Sequence, residues 1–329
     1  ICSGDGQSDG TSITLDIGES ASCVVTNDDI EPSLTLVKDV LNNNGGTADG
    51  SAWVLSATGP AGFSGQGPIV SNDPGFQAGL YDLSETGGVA GYQPSAWNCA
   101  GGVQNDGDSV TVSIGQNVNC TITNDDIGPG LTLIKQVVND NGGTAAASEW
   151  TLTATGPTGF SGPGPVVANI SELEAGTYTL SESEGPDGYS SSGWSCSGGI
   201  QVDNTITLGT GESATCTIVN DDIPPSLVLE KTVVNDNGGT KVAADWMLTA
   251  SGPTAFSGNG PQVANGAGFA AGTYTLSESG PTGYAASAWV CSGGTQGGPE
   301  TISLQLGDSA TCSITNDDTA PTLRLIKTI

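Results

Sequence analysis

The sequence repeats itself along its length, and this internal repetition limits the possible folds more than any other feature. The string Thr-Asn-Asp-Asp or Val-Asn-Asp-Asp occurs with its Asn at positions 27, 124, 220 and 316, which gives spacings of 97, 96 and 96 residues. We predict three complete repeats, at 31–127, 128–223 and 224–319. Residues 1–30 are expected to hold the C-terminal strands of a preceding repeat, and residues 320–329 the first strand of a following one. Because partial repeats are expected at both ends, we predict that the parent protein is longer than these 329 residues.

Each repeat has the pattern of a β-domain. Short alternating runs of Val, Ile, Thr, Leu, Tyr and Trp lie between clusters of Gly, Asn and Pro, and no helical period of useful length occurs. The Asn-Gly steps in "NNNGGT" and "NDNGGT" predict hairpin turns, because both residues tolerate positive φ. Roughly seven strands in about 96 residues are typical of an antiparallel β-sandwich of the immunoglobulin-like kind. We therefore predict an all-β chain, a tandem array of antiparallel β-sandwich domains.

Composition excludes several classes of function. The chain has six Lys and Arg against 35 Asp and Glu, for a formal charge of −29, so nucleic acid and anionic membrane surfaces would repel it. No run of about 18 apolar residues could span a membrane. With no His, no Ser-based triad and no phosphate-binding loop, we expect no enzyme that acts on an external substrate.

The eight cysteines predict an oxidising compartment, and so an extracellular or cell-surface protein. They form four sequence pairs 20 or 21 residues apart, each pair on a penultimate and a last strand. Closing a loop of about 20 residues would stabilise the fold by about 3 kcal/mol. Metal binding is the alternative, but no His and no second cysteine pair lies near each site. The predicted disulfides are Cys2–Cys23, Cys99–Cys120, Cys196–Cys216 and Cys291–Cys312.

A lysine occupies the inward face of the predicted first strand in each repeat. In "LTLIK", Leu131, Leu133 and Lys135 point the same way because side chains alternate across a strand. The same alternation turns a Glu inward after Tyr-x-Leu and an Asn inward after Cys-x-Ile. The Lys-to-Glu separation is 47 residues in all three repeats, and Lys-to-Asn is 86, 85 and 85. The three predicted sets are Lys38, Glu85 and Asn124; Lys135, Glu182 and Asn220; and Lys231, Glu278 and Asn316.

These residues resemble a known family. The strings "LYDLSETGGVAGY", "TYTLSESEGPDGY" and "TYTLSESGPTGY" look like the Tyr-x-Leu-x-Glu…Pro-x-Gly-Tyr box of the SpaA or CnaB-type prealbumin-like domains of bacterial surface proteins and pili. The resemblance implies an intramolecular isopeptide bond between the first-strand Lys and the last-strand Asn, with the box Glu as catalytic acid. It covers each repeat in the same order. The departures are the missing Pro in "GGVAGY", the continuation of the last strand as "NDD", and the Trp-x-Cys disulfide.

The chemistry suits an apolar core. Burial disfavours the ammonium and leaves a neutral amine nucleophile, which would displace ammonia from the Asn carboxamide. Two other interpretations stay open. One is a buried Lys–Glu ion pair with Asn as a hydrogen-bond partner, which needs no reaction. The other is a register in which the lysines face outward.

Acidic residues collect where one repeat ends and the next begins. Clustered Asp oxygens at a joint could hold Ca²⁺, which takes six to eight oxygen ligands. The alternative is that Asn, Asp and Gly are there because tight turns require them. The candidate ligands are Asp125, Asp126, Asp140, Asp221, Asp222 and Asp236.

The leading hypothesis is an extracellular structural protein that forms a stalk, fibre or adhesin shaft. Its expected partners are neighbouring repeats and identical chains in a filament or bundle. We expect that no cofactor is required, and Ca²⁺ is the one candidate. The alternative is a glycan-binding or Ca²⁺-dependent adhesive module that uses exposed aromatic residues. Trp97 argues against it, because it lies two residues before Cys99 and shares its inward face.

Overall fold

The computed structural model describes residues 1–8, 10–170 and 172–328. It divides the chain into two compact units, Ile1–Ile127 and Gly128–Ile329. Within the described residues, the chain forms 34 strands and three short 3-10 helices. The predicted all-β class is confirmed.

The first unit contains fourteen of the described strands and one 3-10 helix at Gly50–Ala52. The strands are β1 (Cys2–Gly4), β2 (Gln7–Ser8), β3 (Ile13–Thr14), β4 (Ala21–Cys23), β5 (Ser33–Leu41), β6 (Trp53–Thr58), β7 (Phe63–Gln66), β8 (Ile69–Ser71), β9 (Gly79–Gly87), β10 (Tyr92–Pro94), β11 (Asn98–Ala100), β12 (Val103–Gln104), β13 (Ser109–Val112) and β14 (Asn117–Asp126).

The second unit contains the second and third repeats, with 3-10 helices at Ala147–Glu149 and Ala243–Asp245. The strands of the second repeat are β15 (Gly130–Val138), β16 (Thr151–Thr155), β17 (Phe160–Pro163), β18 (Val166–Ala168), β19 (Gly176–Glu182), β20 (Tyr189–Ser191), β21 (Ser195–Ser197), β22 (Ile200–Val202), β23 (Thr205–Leu208) and β24 (Ser213–Asp222). Those of the third are β25 (Ser226–Val234), β26 (Met247–Ser251), β27 (Phe256–Asn259), β28 (Gln262–Ala264), β29 (Gly272–Ser279), β30 (Tyr284–Ala286), β31 (Val290–Ser292), β32 (Thr295–Gly298), β33 (Thr301–Leu304) and β34 (Ser309–Asp318).

Each repeat is a sandwich of two five-stranded sheets. In the first repeat, one sheet has the order β10-β14-β5-β8 with β11 also on β14, and the other has the order β12-β13-β9-β6-β7. The second and third repeats have the same arrangement. The predicted β-sandwich is confirmed, with ten described strands per repeat rather than seven. Several of the extra strands are only two to four residues long, too short to show an alternating pattern.

The first and last strands of each repeat lie side by side and parallel. β5 pairs with β14, β15 with β24, and β25 with β34, each over nine residue pairs. The other strand pairs described are antiparallel. Parallel neighbours need a long crossover, and here the crossover is the rest of the repeat. The chain therefore enters and leaves each sandwich through the middle of one sheet.

The core lies between the two sheets and follows the alternation of the strands. In the first repeat, Leu34 and Leu36 from one sheet and Leu55 and Tyr81 from the other are fully buried. The equivalent positions are buried in the other two repeats. Burying a side chain of this size stabilises the fold by about 1.5–3 kcal/mol. The buried leucines therefore define which side of each first strand faces the core, and the lysines lie on that same side.

The Asn-Gly segments do not form hairpins, so that prediction was wrong. They follow β5, β15 and β25 and lead through a 3-10 helix to the opposite sheet. Gly45, Gly142 and Gly238 do adopt positive φ, at 85°, 97° and 95°. Asn-Gly therefore indicated the backbone conformation correctly, but the turn connects two sheets rather than two adjacent strands.

The two ends of the chain carry less structure than the repeats. In the described part of residues 1–30, β1 pairs with β4 and β2 with β3. Residues 319–328 contain no strand, and Leu323 and Leu325 are exposed. Ile329, the last residue of the strand predicted at 320–329, lies outside the described residues. Among the described helices, none has the length and apolarity that crossing a membrane would require.

Candidate functional site

The structure brings Lys and Glu together inside each sandwich, from opposite sheets. Lys38 Nζ lies 2.7 Å from Glu85 Oε2, and Lys135 Nζ lies 2.7 Å from Glu182 Oε2. In the third repeat the distance from Lys231 Nζ to Glu278 Oε2 is 2.8 Å. The lysine side chains are fully buried and the glutamates nearly so. The outward-facing register is therefore wrong.

The Asn of each repeat lies on the same inward face as the Lys, on the neighbouring strand. In the register of β15 and β24, Lys135 faces Ile218, and Asn220 is two residues further along on that side. Lys135 and Asn220 are thus diagonal neighbours on one face of the sheet. The amide oxygen Oδ1 of Asn124, Asn220 and Asn316 is buried and has no hydrogen-bond partner. Leaving such a group unsatisfied costs about 1–3 kcal/mol, and three repetitions of this cost require an explanation.

A tryptophan forms one wall of each site. The lysine Nζ atoms lie 4.9, 4.7 and 5.0 Å from the ring centroids of Trp53, Trp150 and Trp246. A desolvated cation–π contact of this kind is worth about 2 kcal/mol. Strand alternation by itself does not assign the tryptophans to the site. The signal was available, because each Trp follows its Lys by 15 residues, as in Lys135 and Trp150.

The box loop holds the tryptophan in place. A Cβ added to Gly185 would lie only 2.1 Å from Trp150 Nε1, so this position has no room for a side chain. Tyr189 packs edge-on against Trp150 with ring centroids 5.5 Å apart. The Gly and Tyr of the box therefore fix the ring that covers the lysine.

Burial lowers the pKa of Lys135, and the hydrogen bond and charge of Glu182 oppose that shift only in part. The pKa values of Lys38 and Lys231 are lowered for the same reason. Desolvation penalises the ammonium, so the neutral amine is more accessible here than at the surface. A neutral lysine amine is a nucleophile, and the Asn carboxamide on the neighbouring strand offers it an electrophilic carbon.

A protein-family model described as a prealbumin-like fold domain matches the chain three times, at residues 29–122, 126–218 and 222–314. The chain belongs to this family. The matches to the prealbumin-like fold domain include each Lys and Glu but end two residues before Asn124, Asn220 and Asn316. The proposed cross-link therefore depends on the geometry of the site. No curated protein sequence matches the chain.

Three solved structures illustrate the likeness of the prealbumin-like repeats to known proteins. The Bacillus anthracis TIE protein is 16% identical, with 93% of this chain and 54% of that chain covered and a TM-score of 0.47. The pilus adhesin SpaC from Lactobacillus rhamnosus GG is 13% identical, with 87% and 44% covered and a TM-score of 0.31. The major pilin from Streptococcus pyogenes is 14% identical, with 60% and 99% covered and a TM-score of 0.27. The chain spans about half the length of the first two, and the family assignment depends on the sequence match alone.

A buried Asp organises the Asn-Gly loop of each prealbumin-like repeat. Asp222 Oδ1 accepts hydrogen bonds from the backbone N–H of Asp140 and Asn141, at 3.1 and 3.0 Å. Its Oδ2 accepts from the N–H of Asn141 and Gly143, at 2.9 and 2.7 Å. Asp126 and Asp318 hold the equivalent loops in the same way. From the sequence, Asp126 and Asp222 are interpreted only as calcium ligands or turn-formers, although both lie two residues beyond an inward Asn and so point inward too.

These backbone bonds affect ionisation. Burial alone would raise the pKa of Asp318, but hydrogen bonds from the backbone N–H of Gly239, Asn237 and Asp236 together lower it. The box tyrosine completes the loop, since Tyr189 Oη accepts from Ala145 N–H at 3.0 Å and donates to Asn139 Oδ1. The buried carboxylates of Asp222 and Asp318 are thus each surrounded by backbone N–H donors, an environment that favours an anion.

Within the described part of the chain, carboxylates converge in two clusters that could hold a cation. Oxygens of Asp140, Asp221 and Asp222 lie within 4.8 Å of one another, and so do those of Asp236, Asp317 and Asp318. Burial, followed by the charge of Asp221, raises the pKa of Asp140. In the first repeat, Asn43 stands where the second has Asp140, beside Asp125 and Asp126. The clusters are compatible with a divalent cation, but mainly through their exposed members, because Asp222 and Asp318 already accept N–H bonds through both oxygens.

Disulfides join Cys2 to Cys23, Cys99 to Cys120, Cys196 to Cys216 and Cys291 to Cys312. In each case the two residues face each other across adjacent antiparallel strands. Cys120, Cys216 and Cys312 are fully buried on the last strand, four residues before the site Asn. The disulfide and the Lys–Glu–Asn site therefore share one strand.

Proposed function

We propose that the chain is part of an extracellular or cell-surface stalk, fibre or adhesin shaft, in which an isopeptide bond between Lys and Asn closes each repeat. The observation that carries the proposal is the unpartnered, buried Oδ1 of the Asn beside a buried Lys–Glu pair. An ion pair alone would leave that carbonyl costly in every repeat. If the carboxamide reacts with the lysine, the unpartnered carbonyl in each repeat has a function.

The reaction balances without any co-reactant. The neutral Nζ of Lys135 attacks Cγ of Asn220, the Cγ–Nδ2 bond breaks, and a secondary amide and ammonia result. Glu182 lies 2.7 Å from Nζ, close enough to take the ammonium proton and pass one to the departing nitrogen. Trp150 covers the amine, and the Lys135 side chain is fully buried. The same roles fall to Lys38, Glu85 and Asn124, and to Lys231, Glu278 and Asn316.

The proposed domains follow the cross-links. Each closed loop starts on the first strand and ends on the last, so residues 31–127, 128–223 and 224–319 would each be one covalently closed body. Residues 1–30 and 320–329 would belong to adjoining repeats. Partners of such a module are the neighbouring repeats and identical chains in a filament or bundle.

The burial of the aromatic residues favours a shaft over a glycan-binding module. None of the six Trp, six Tyr and five Phe side chains, all within the described residues, is exposed. Trp97, Trp150 and Trp246 are at most 5% exposed. Sugar rings stack on exposed aromatic faces, and the described aromatic side chains are all buried or only partly exposed. A binding signal on a glycan array would reverse the choice, whereas long rods in electron micrographs with no such signal support the shaft.

Tandem mass spectrometry of the reduced, digested chain tests the cross-link directly. The expected result is one peptide pair joined from Lys135 to Asn220 and lighter than the two separate peptides by one ammonia. The first and third repeats should each give an equivalent pair. Recovery of linear peptides that contain free Lys135 and free Asn220 would reduce the site to an ion pair.

A further inference from the structure

The contact between the second and third repeats, within one compact unit, carries an inference that does not depend on the cross-link. The backbone N–H of Ala271, just before β29, donates to Asn141 O at 2.7 Å. Asn141 Nδ2 donates a longer bond, 3.4 Å, to Phe269 O. Gly307 N–H donates to Ile223 O at 2.9 Å, next to the connection between the repeats. Directional backbone bonds thus link the two bodies.

The loop that makes these contacts is held in position by a residue of its own repeat. Its shape is determined by the Asp222 carboxylate, which accepts from three of its backbone N–H groups. Its target is equally fixed, because Phe269 is 1% exposed and stacked on Tyr274 in the core of the third repeat. Two rigid surfaces joined by hydrogen bonds leave little freedom at the joint.

The third repeat provides an internal comparison. Asn141 is 8% exposed and donates to Phe269 O of the next repeat, whereas its counterpart Asn237 is exposed and donates to Asp318 O of its own repeat at 3.0 Å. A Cβ added to Gly142 would lie 3.0 Å from Ala271 N, whereas one added to Gly238 would meet nothing within 4 Å.

The box glycines show the same difference. A Cβ on Gly188 would lie 2.4 Å from Leu306 Cβ, whereas one on Gly283 would again meet nothing within 4 Å. The loop and box of the second repeat are therefore fitted to a neighbouring repeat, and those of the third have the same form with no such neighbour among the described residues.

We propose that the loop Asn139–Gly143 and Gly188 form a docking face for the next repeat, which seats its Phe269–Ala271 segment and its Leu306–Gly307 turn there and so locks the joint. The carboxylate of Asp222, not a metal ion, organises this face. The equivalent face of the third repeat, Asn235–Gly239 with Gly283, is the docking face for a further repeat of the same kind.

Residual dipolar couplings of the full chain test the lock, because two bodies that move as one share a single alignment tensor. The wild type should give the same tensor for the second and third repeats, with a ratio of alignment magnitudes near one, in EGTA as well as in Ca²⁺. The joint variant is the double substitution Gly142→Ala and Gly188→Ala. Its matched control is Gly238→Ala and Gly283→Ala, which places the same residue at nearly the same positive φ: 97° and 83° against 95° and 89°.

The joint variant should lose the shared tensor, and the control should keep it. Dispersed amide signals from both repeats would show that each variant is folded. A shared tensor in the joint variant would overturn the proposal, and so would two different tensors in the wild type, a result that needs no variant. A wild-type joint that is rigid in Ca²⁺ and loose in EGTA would assign the lock to a bound ion instead.

Discussion

Replacing Glu182 by Ala in the full chain tests the proposed cross-link in one repeat and leaves the other two as internal controls. Glu182 is the residue that contacts Lys135 Nζ, at 2.7 Å, so its loss removes the group that would move the protons. The variant should keep Lys135 and Asn220 unlinked. The intact mass should then show the loss of two ammonia molecules instead of three, in addition to the hydrogens lost in four disulfides.

The stability change follows from the length of the closed loop. The bond would close a loop across the 85-residue separation of Lys135 and Asn220, and the loop-entropy relation gives about 4.5 kcal/mol for that length. For one repeat this corresponds to a fall in melting temperature of roughly 20–35 °C. However, removing one partner of a buried ion pair also costs about 3–5 kcal/mol. Melting therefore cannot separate the two interpretations, and the mass is the deciding measurement.

Glu184→Ala is the matched control. Glu184 lies two residues away and is exposed. The two variants have the same sequence mass, so any difference between their measured masses is ammonia alone. The reasoning is refuted if the two masses are equal, because Glu182 would then have no part in the reaction or no reaction would occur.

Three further predictions concern the disulfides, calcium and pH. Non-reducing peptide mapping should recover the pairs Cys99–Cys120, Cys196–Cys216 and Cys291–Cys312, and any link between repeats would contradict independent closure of each repeat. Adding EGTA should leave the melting temperature unchanged, because both oxygens of Asp222 already accept N–H bonds; a fall of several degrees would instead establish a stabilising calcium site. In Asn220→Ala, Lys135 stays an amine, and burial lowers its pKa in the folded chain. At pH values between this lowered pKa and the ordinary lysine pKa, the unfolded chain therefore binds more protons than the folded chain. Thermal melts of this variant should show stability rising with pH across that window, and a fall there would contradict the sign.

The sequence located the site because strand alternation has a period of two. Once Leu131 and Leu133 were assigned to the core, Lys135 had to follow them, and the same step placed Glu182 and Asn220 inward. Internal repetition then aligned the three sets without any outside information. These inferences needed only neighbours along a single strand.

What the sequence could not show was how strands meet across the fold. The first and last strands are separated by most of a repeat, and nothing in either strand indicates that they pair in parallel. Asn-Gly specifies positive φ but not whether the chain turns back or crosses to the other sheet. Trp150 covers Lys135 only because the two sheets pack face to face, although its fixed distance along the chain was visible.

The parallel pairing of first and last strands has a mechanical consequence. A repeat pulled by its two ends is held at the start of β15 and at the end of β24, which lie at opposite ends of the same strand pair. Tension therefore acts in shear along the pair, and its hydrogen bonds are loaded together over nine residue pairs instead of opening one after another like a zipper. The fold thus resists extension through its hydrogen bonds alone. A covalent link from Lys135 to Asn220 would span the same two strands and set an upper limit on how far they can slide.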